Sequence, residues 1–124
     1  MKTKNAVNWF EIPVDDFERA VSFYQRLFDV QLRHEVMDGF DCALFPADEQ
    51  AVGGALVKAD FQRPGAAGSL VYLNAEGKLD ALLQRATDMG AQVTLPRTAI
   101  GEYGFIAHLL DSEGNKIAVH SFGA

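Results

Sequence analysis

The same strand and helix pattern occurs twice in this 124-residue chain. In the first copy, apolar residues alternate through 9–14 and then recur at helical spacing through 17–28. In the second copy, an apolar run at 69–73 precedes a helical stripe at 79–89. Because the two copies lie about 60 residues apart, half the chain, the pattern predicts two related modules and not a solenoid.

The ends of the two helices also carry local signals. Asp15 or Asp16 can cap the first helix, and Glu18 stands at capping-box spacing from Asp15. Asn74 is the predicted cap of the second helix, and Gly90 suits its C-terminal turn, since glycine adopts a left-handed conformation at no steric cost. Both helices are therefore expected to be short and to pack one apolar stripe.

Further strands are predicted after each helix. They are 31–36, 40–45 and 52–57 in the first module, and 92–95, 104–110 and 116–122 in the second, with a loop at 96–103. The predicted fold class is α+β, with two tandem βαβββ modules that form a half-open, cup-shaped, antiparallel-rich sheet and carry their helices on the outer face. One domain is expected, with module one at about 5–58, a linker at about 59–67 and module two at about 68–122.

Composition excludes several kinds of partner. The formal net charge is −6 and the chain has no basic run, which argues against nucleic acids and anionic membrane surfaces. No apolar run approaches the ~18 residues of a membrane span, and the N-terminal residues lack the apolar stretch of a signal peptide. Cys42, the single cysteine, rules out an intrachain disulfide and suits a reducing compartment. A cytoplasmic protein is expected.

Two segments carry a family resemblance. The opening 12–16, which leads to Ala20 and 23–24, and the closing Asp-Ser-Glu-Gly-Asn-Lys-Ile at 111–117 resemble the vicinal oxygen chelate superfamily. That superfamily includes glyoxalase I, bleomycin-resistance proteins, fosfomycin-resistance enzymes and extradiol dioxygenases. The likeness covers nearly the whole chain and is greatest to glyoxalase-related proteins of unknown function that open with Trp-Phe-Glu-Ile-Pro-Val.

The resemblance implies a cleft that holds a divalent metal such as Zn, Ni, Fe or Mn on four side chains. The family's ligand positions match Trp9, Gly54 or Ala55, Ser69 and Ala118 in this sequence. An indole nitrogen only donates hydrogen bonds, and glycine and alanine have no donor atom for a metal. A lone serine does not hold a catalytic divalent ion. The sequence therefore predicts a cleft without a metal.

The cleft lining follows from strand alternation. His120 lies two residues after Ala118, so both face the same side of their strand. A three-residue loop at 112–114 would pair His108 with Ala118, which brings His108 to that side as well. Fosfomycin-resistance relatives carry a substrate-contacting tyrosine at the position that His108 matches. The predicted lining is Trp9, Glu11, Ser69, Val71, His108, Ala118 and His120.

Two residues of this lining are predicted to be catalytic. A carboxylate in the middle of a strand is unusual, and Glu11 with His108 would form an acid–base couple. The alternative for Glu11 is structural: it accepts hydrogen bonds from neighbours beside Trp9 or from water. Trp9 either stacks on a flat ligand or fills the space of the missing metal. Arg63, Arg97 and Lys116 could each anchor a carboxylate, but nothing in their spacing favours that over solvated surface.

Three functions remain open from the sequence. The first is a binding protein that sequesters a small, partly aromatic molecule, as bleomycin-resistance proteins do. The second is a metal-independent lyase or isomerase that uses Glu11 and His108, and the third is a glyoxalase or dioxygenase type of enzyme with an atypical metal site from Glu11, His108 and His120. A homodimer is expected because superfamily members commonly dimerise and the sheets have unpaired edges.

Overall fold

The computed structural model describes residues 5–123. The first module contains β1 (Trp9–Pro13), α1 (Phe17–Phe28), β2 (Arg33–Met37), β3 (Phe40–Leu44) and β4 (Gly53–Lys58). The second contains β5 (Tyr72–Asn74), α2 (Leu79–Asp88), β6 (Val93–Ala99), a 3₁₀ turn (Gly101–Tyr103), β7 (Phe105–Leu110) and β8 (Lys116–Ser121). Neither helix in this part of the chain is long and apolar enough to cross a membrane.

Each module forms its own four-stranded mixed sheet. The strand order is β1-β4-β3-β2 in the first and β5-β8-β7-β6 in the second. The pairs β1–β4 and β5–β8 are parallel, and the remaining pairs are antiparallel. The predicted α+β class with two βαβββ modules is confirmed, and the sheets stay open and do not close into a barrel.

The helix termini agree in part with the sequence signals. Asp16 caps α1, because its Oδ1 accepts a hydrogen bond from the Arg19 backbone N–H at 3.0 Å. Gly90 follows α2 with a φ of 77°, as predicted. The prediction that Asn74 caps α2 is wrong: α2 begins at Leu79, and the Asn74 side chain accepts from the Glu76 N–H at 2.9 Å within a turn. A local side-chain turn has therefore replaced the helix cap.

Strand β6 is longer than predicted and includes Pro96, which was expected to lie in a loop. It lies at the edge of its sheet, where proline removes no ladder hydrogen bond that the sheet needs. Its pairing with β7 shifts between Val93 and Leu95 and again between Leu95 and Thr98. These irregularities let the strand pass the proline and continue to Ala99.

Strand β5 lies one position away from the predicted register. Ile12 in β1 and Leu73 in β5 both point into the core and are 61 residues apart, so Tyr72 is the counterpart of Glu11. The expected strand at 69–73 placed Ser69 and Val71 in the cleft instead. A shift of one residue exchanges the two faces of a strand, and the unbroken apolar run 70–73 does not reveal the register.

One core joins the two modules. It includes both helix stripes and the helix-facing residues of both sheets, such as Tyr24, Leu27, Leu56, Leu82 and Val119. The opposite side of each sheet, here called its open face, carries different residues. In module one it holds a separate buried cluster around Cys42 and Ala55.

The closing Asp-x-x-Gly-Asn segment of module two forms hydrogen bonds to module one. The Tyr24 hydroxyl donates to Asp111 Oδ2 at 2.6 Å, and burial raises the pKa of Tyr24 well above its usual value. The Asn115 side-chain amide donates to Asp111 Oδ2 at 2.9 Å and to the Pro13 carbonyl at 2.8 Å. Asp111 and Asn115 are both buried, and Asn115 Oδ1 also accepts from the Gly65 backbone N–H of the linker at 3.0 Å. Their polar contacts therefore hold the hairpin, the linker and module one together.

Glu113 in the same segment accepts hydrogen bonds from the backbone at the N-terminus of α1. Its Oε1 accepts from the backbone N–H groups of Asp15 and Asp16 at 3.0 and 2.7 Å, and Oε2 accepts from Arg19 Nε at 2.8 Å. Burial opposes ionisation, but the hydrogen bonds from Arg19 and the Asp16 backbone N–H outweigh it and lower the pKa of Glu113 to about 2. A carboxylate from module two therefore neutralises the helix N-terminus of module one.

Candidate functional site

The open face of module one carries Trp9 and Glu11 side by side. Trp9 is 43% exposed, and its indole N–H donates to Glu11 Oε2 at 3.2 Å. Trp9 pairs with Gly53 of β4, and a Cβ on Gly53 would lie 3.3 Å from the indole. The indole therefore lies over the bare backbone of β4 at the surface and is not packed between helix and sheet. The contact with Glu11 is the one expected of a structural carboxylate.

Cys42 lies on the same open face and is buried. Burial raises the pKa of its thiol, and the negative charge of Glu11 raises it further. The thiol donates weakly to the Phe40 carbonyl at 3.6 Å. Cys42 is therefore a protonated packing residue and not a nucleophile.

The open face of module two carries a tyrosine–histidine pair. His108 pairs with Ala118 across β7 and β8, as predicted from the hairpin loop, and Tyr72 flanks Ala118 on the other side. Ala118 is fully buried and contributes only a methyl group. The two larger side chains therefore meet above it, with Tyr72 Oη 3.1 Å from His108 Nε2 and the rings edge to face at 5.8 Å.

The environment of His108 favours the neutral imidazole. Burial lowers its pKa, and the nearby Lys116 ammonium lowers it further. Lys116 precedes Ala118 by two residues on β8 and so belongs to the same open face. Within residues 5–123, the Lys116 ammonium has no hydrogen-bond or ion-pair partner.

His120 has a structural contact. Its Nε2 lies 2.6 Å from the carbonyl oxygen of Tyr103, and its ring packs edge to face on Phe122 at 4.5 Å. These contacts hold the 3₁₀ turn against β8. His120 shares the open face with Ala118, but its ring already contacts Tyr103 and Phe122 of the same chain.

A cavity of about 900 Å³ lies between the two modules. Its walls are mostly apolar and come from Val7, Phe10, Phe28, Val30, 45–47, 51–54, 69–74, Glu76 and Lys78. Gly54 is needed in this wall, because a Cβ there would overlap the Phe10 ring. Ser69 and Val71, predicted to bind ligand, line this cavity and do not lie on the open face.

The structure thus distributes the predicted lining over three neighbouring surfaces. Trp9 and Glu11 lie on the open face of module one, and the two histidines with Ala118 lie on that of module two. Tyr72 connects the second group to the cavity, since it lines the cavity and contacts His108. Gly53 connects the first group, since it lines the cavity beneath the indole. Across the described residues, no hydrogen bond or ring contact joins Glu11 to His108.

The side chains at the expected metal positions do not fit a divalent ion. They are an indole, a glycine or alanine, a hydroxyl outside any strand and a methyl group, and these offer at most one donor oxygen. Glu11, His108 and His120 each have a protein partner instead. No group of three or more His, Cys, Asp or Glu side chains within 5–123 is placed to hold a metal.

Comparison with known proteins decides the family. The sequence model of the Glyoxalase/Bleomycin resistance protein/Dioxygenase superfamily matches residues 6–119, nearly the whole chain. The chain belongs to this superfamily. The resemblance read from the opening and closing segments is thereby confirmed. No curated protein sequence matches the chain.

Solved structures of other proteins share the fold. A glyoxylase/bleomycin resistance protein/dioxygenase domain from Frankia sp. EAN1pec is 18% identical, with a TM-score of 0.70 over 96% of this chain and 98% of that one. The fosfomycin resistance protein FosX from Listeria monocytogenes is 12% identical, with a TM-score of 0.71 over 99% and 94%. TnmS3, an antibiotic binding protein from Streptomyces sp. CB03234, is 24% identical, with a TM-score of 0.64 over 98% of each chain.

Sequence reasoning missed Tyr72 and the phenylalanines of the cavity. Tyr72 could have been found by matching the core residues Ile12 and Leu73 of the two modules, which fixes the register of β5. Phe10 and Phe45 lack such a signal, because they read as ordinary core residues and the cavity arises only when the modules meet.

Proposed function

We propose that this superfamily member binds a small, partly aromatic molecule in the cavity between its modules, without a metal. The observation that carries the proposal is the cavity itself, about 900 Å³ with largely apolar walls. Sites for small molecules commonly enclose about 300–1,000 Å³ and combine apolar walls with a few polar groups. TnmS3, which shares the fold, is an antibiotic binding protein, and this supports a role in sequestration.

The aromatic side chains at the cavity support a flat ligand. The Phe10 and Phe45 rings pack 5.6 Å apart in the cavity wall, and Tyr72, which is 46% exposed, also lines the cavity. Trp9 lies beside the cavity over Gly53. Flat apolar molecules gain from such rings through stacking and edge-to-face contacts.

A thermal-shift screen of metabolites and antibiotics tests the proposal. A ligand present at one hundred times its Kd stabilises the protein by about 2.7 kcal/mol, which corresponds to a Tm rise on the order of 10 °C for a chain of this size. Leu70→Trp fills the cavity and should abolish the rise, whereas Thr94→Trp on the edge strand β6 should retain it. The proposal fails if no compound raises the Tm, or if Leu70→Trp responds like the wild type.

The metal-free state belongs to the proposal and has its own measurement. The donor groups at the expected positions support it, since they include no imidazole or carboxylate. Elemental analysis of untagged protein should find less than a tenth of a metal ion per chain, on the order of contamination. A stoichiometric divalent metal that ligand binding requires would contradict it.

A homodimer and a cytoplasmic location complete the proposal. Apolar side chains are exposed around the β2–β3 hairpin, where Val36 is 64% and Phe61 68% exposed and Phe61 packs on Phe40. Exposed apolar groups of this kind favour a protein interface. Light scattering after gel filtration should give the dimer mass, and Phe61→Glu should lower it to the monomer mass. The free, buried thiol of Cys42 suits a reducing compartment.

A second candidate function is metal-independent proton transfer by His108. The lowered pKa of its imidazole favours this function, because a neutral imidazole can accept a proton at pH 7. Glu11 lies in the other module and bonds to Trp9, so it would act only if a partner chain brought it near. His108→Gln should therefore abolish any turnover under this function, and Glu11→Gln should do so only if Glu11 also takes part.

A further inference from the structure

Three polar side chains share the open face of module two, and one of them, Tyr72, also lines the cavity. Tyr72 lines the cavity, its hydroxyl oxygen lies 3.1 Å from His108 Nε2, and both side chains lie over the methyl group of Ala118. Lys116 belongs to the same face, two residues from Ala118 along β8. Of these three, only the phenol of Tyr72 is part of the cavity wall; the imidazole of His108 contacts it, and the Lys116 ammonium lies near that imidazole on the same face. The other polar residues of the wall are Ser69, Asn74, Glu76 and Lys78.

Lys116 differs from Arg63 and Arg97 in having no counter-ion in the described part of the chain. Arg63 contacts Asp15 at 3.3 Å, and Arg97 contacts Asp80 at 3.1 Å, so a carboxylate of the protein already faces each guanidinium. Lys116 has no such counter-ion among residues 5–123. Lys78 lines the cavity itself, but its ammonium donates to the Phe28 carbonyl at 3.3 Å and lies over the Phe28 ring. In a chain with a net charge of −6, the unpaired ammonium of Lys116 on the face of Tyr72 provides local attraction for an anion that the overall charge would repel.

We infer that Lys116, Tyr72 and His108 form an anion subsite, so that the molecule bound in the cavity carries a carboxylate, phosphonate or sulfonate group. The inference rests on the proposed function and adds the chemical class of the ligand. The aromatic body would occupy the cavity, and the acidic group would reach the edge where Tyr72 meets His108.

The hydrogen-bond directions in the cluster are consistent with an anion. With its proton on Nε2, the neutral imidazole of His108 donates to the phenol oxygen of Tyr72. The Tyr72 hydroxyl is then free to donate to the ligand. Lys116 contributes a full positive charge and up to three N–H donors. Two groups therefore donate to the acidic oxygens, and His108 orients one of them.

Two dyes that differ by one acidic group provide the test. N-phenylnaphthylamine is neutral, and anilinonaphthalene sulfonate is the same aromatic body with a sulfonate group. Both become fluorescent in apolar sites, so the Kd of each can be measured by titration. The variants are Lys116→Met and Tyr72→Phe, and the matched control is Arg26→Met, which removes an exposed cation from α1.

Lys116→Met should weaken the sulfonate dye about tenfold, as expected for loss of a hydrogen bond to a charged group, and should leave the neutral dye unchanged. Tyr72→Phe should weaken the sulfonate dye severalfold, and Arg26→Met should change neither. Added salt should weaken the sulfonate dye in the wild type and have little effect on Lys116→Met.

The outcomes separate the two proposals. If both dyes bind and Leu70→Trp abolishes both, but Lys116→Met alters neither or alters both equally, the anion subsite is wrong and the cavity proposal stands. If neither dye binds, or Leu70→Trp leaves both Kd values unchanged, the cavity proposal is wrong and the subsite falls with it. Circular dichroism of each variant shows whether it is folded.

Discussion

The Glu113 carboxylate should make a measurable contribution to the stability of the two-module assembly. Its side chain has no exposed surface and its pKa is about 2, against about 4.3 for an unfolded glutamate. At 1.36 kcal/mol per unit, a difference of about 2.3 units corresponds to at most about 3 kcal/mol. Because Arg19 is 56% exposed and its charge is screened, we expect Glu113→Gln to cost about 2 kcal/mol at pH 7.

The pH dependence gives this prediction its sign. A carboxylate whose folded pKa is lowered stabilises the protein above its unfolded pKa, and this stabilisation is lost as the pH falls from about 4.3 toward 2. Urea unfolding of wild type and Glu113→Gln at pH 7, 5 and 2.5 should show a gap that persists at pH 5 and shrinks at pH 2.5. Glu49→Gln, at an exposed carboxylate in the β3–β4 loop, is the control. A cost below about 0.5 kcal/mol, or a gap independent of pH, would refute the reasoning.

Two further predictions follow from single contacts. Gly54→Ala should destabilise the protein by about 1–3 kcal/mol in urea unfolding, because the added Cβ overlaps the Phe10 ring. In the control Gly65→Ala, the added Cβ meets no atom within 4 Å and should have little effect, so equal effects of the two changes would contradict the packing described. The pKa of His108, followed by NMR, should lie below 6.5 and rise in Lys116→Met, because a nearby positive charge is removed; an unchanged pKa would show that Lys116 does not face the imidazole.

The sequence was most informative where local geometry fixes the outcome. The pairing of His108 with Ala118 could be predicted, because a short hairpin loop after Asp111 sets the register of both strands. The module architecture could be predicted from the repeated pattern. The register of β5 could not, since leucine, valine and tyrosine follow one another at 70–72 without a polar residue to mark either face.

The candidate site depends on contacts between distant segments. Phe10, Gly53 and Val71 line one cavity only because the helices pack the two modules together. Likewise, the closing Asp-x-x-Gly-Asn segment was recognised as a family signature, but its physical role became clear only when Tyr24 and Pro13 were found to contact Asp111 and Asn115. No local periodicity encodes such pairings.

The central claim is that the cavity between the modules binds a small aromatic molecule without a metal. Trp9 is the single tryptophan of the chain and lies over Gly53 beside the cavity, so its emission reports on a dye bound there. Titration of EDTA-treated protein with N-phenylnaphthylamine should give saturable energy transfer from Trp9 to the dye. In Leu70→Trp, which fills the cavity and adds a second tryptophan, binding is followed by exciting the dye directly, and it should be lost. Absence of saturable binding to the metal-free protein, or binding that returns only with added divalent metal, would contradict the account.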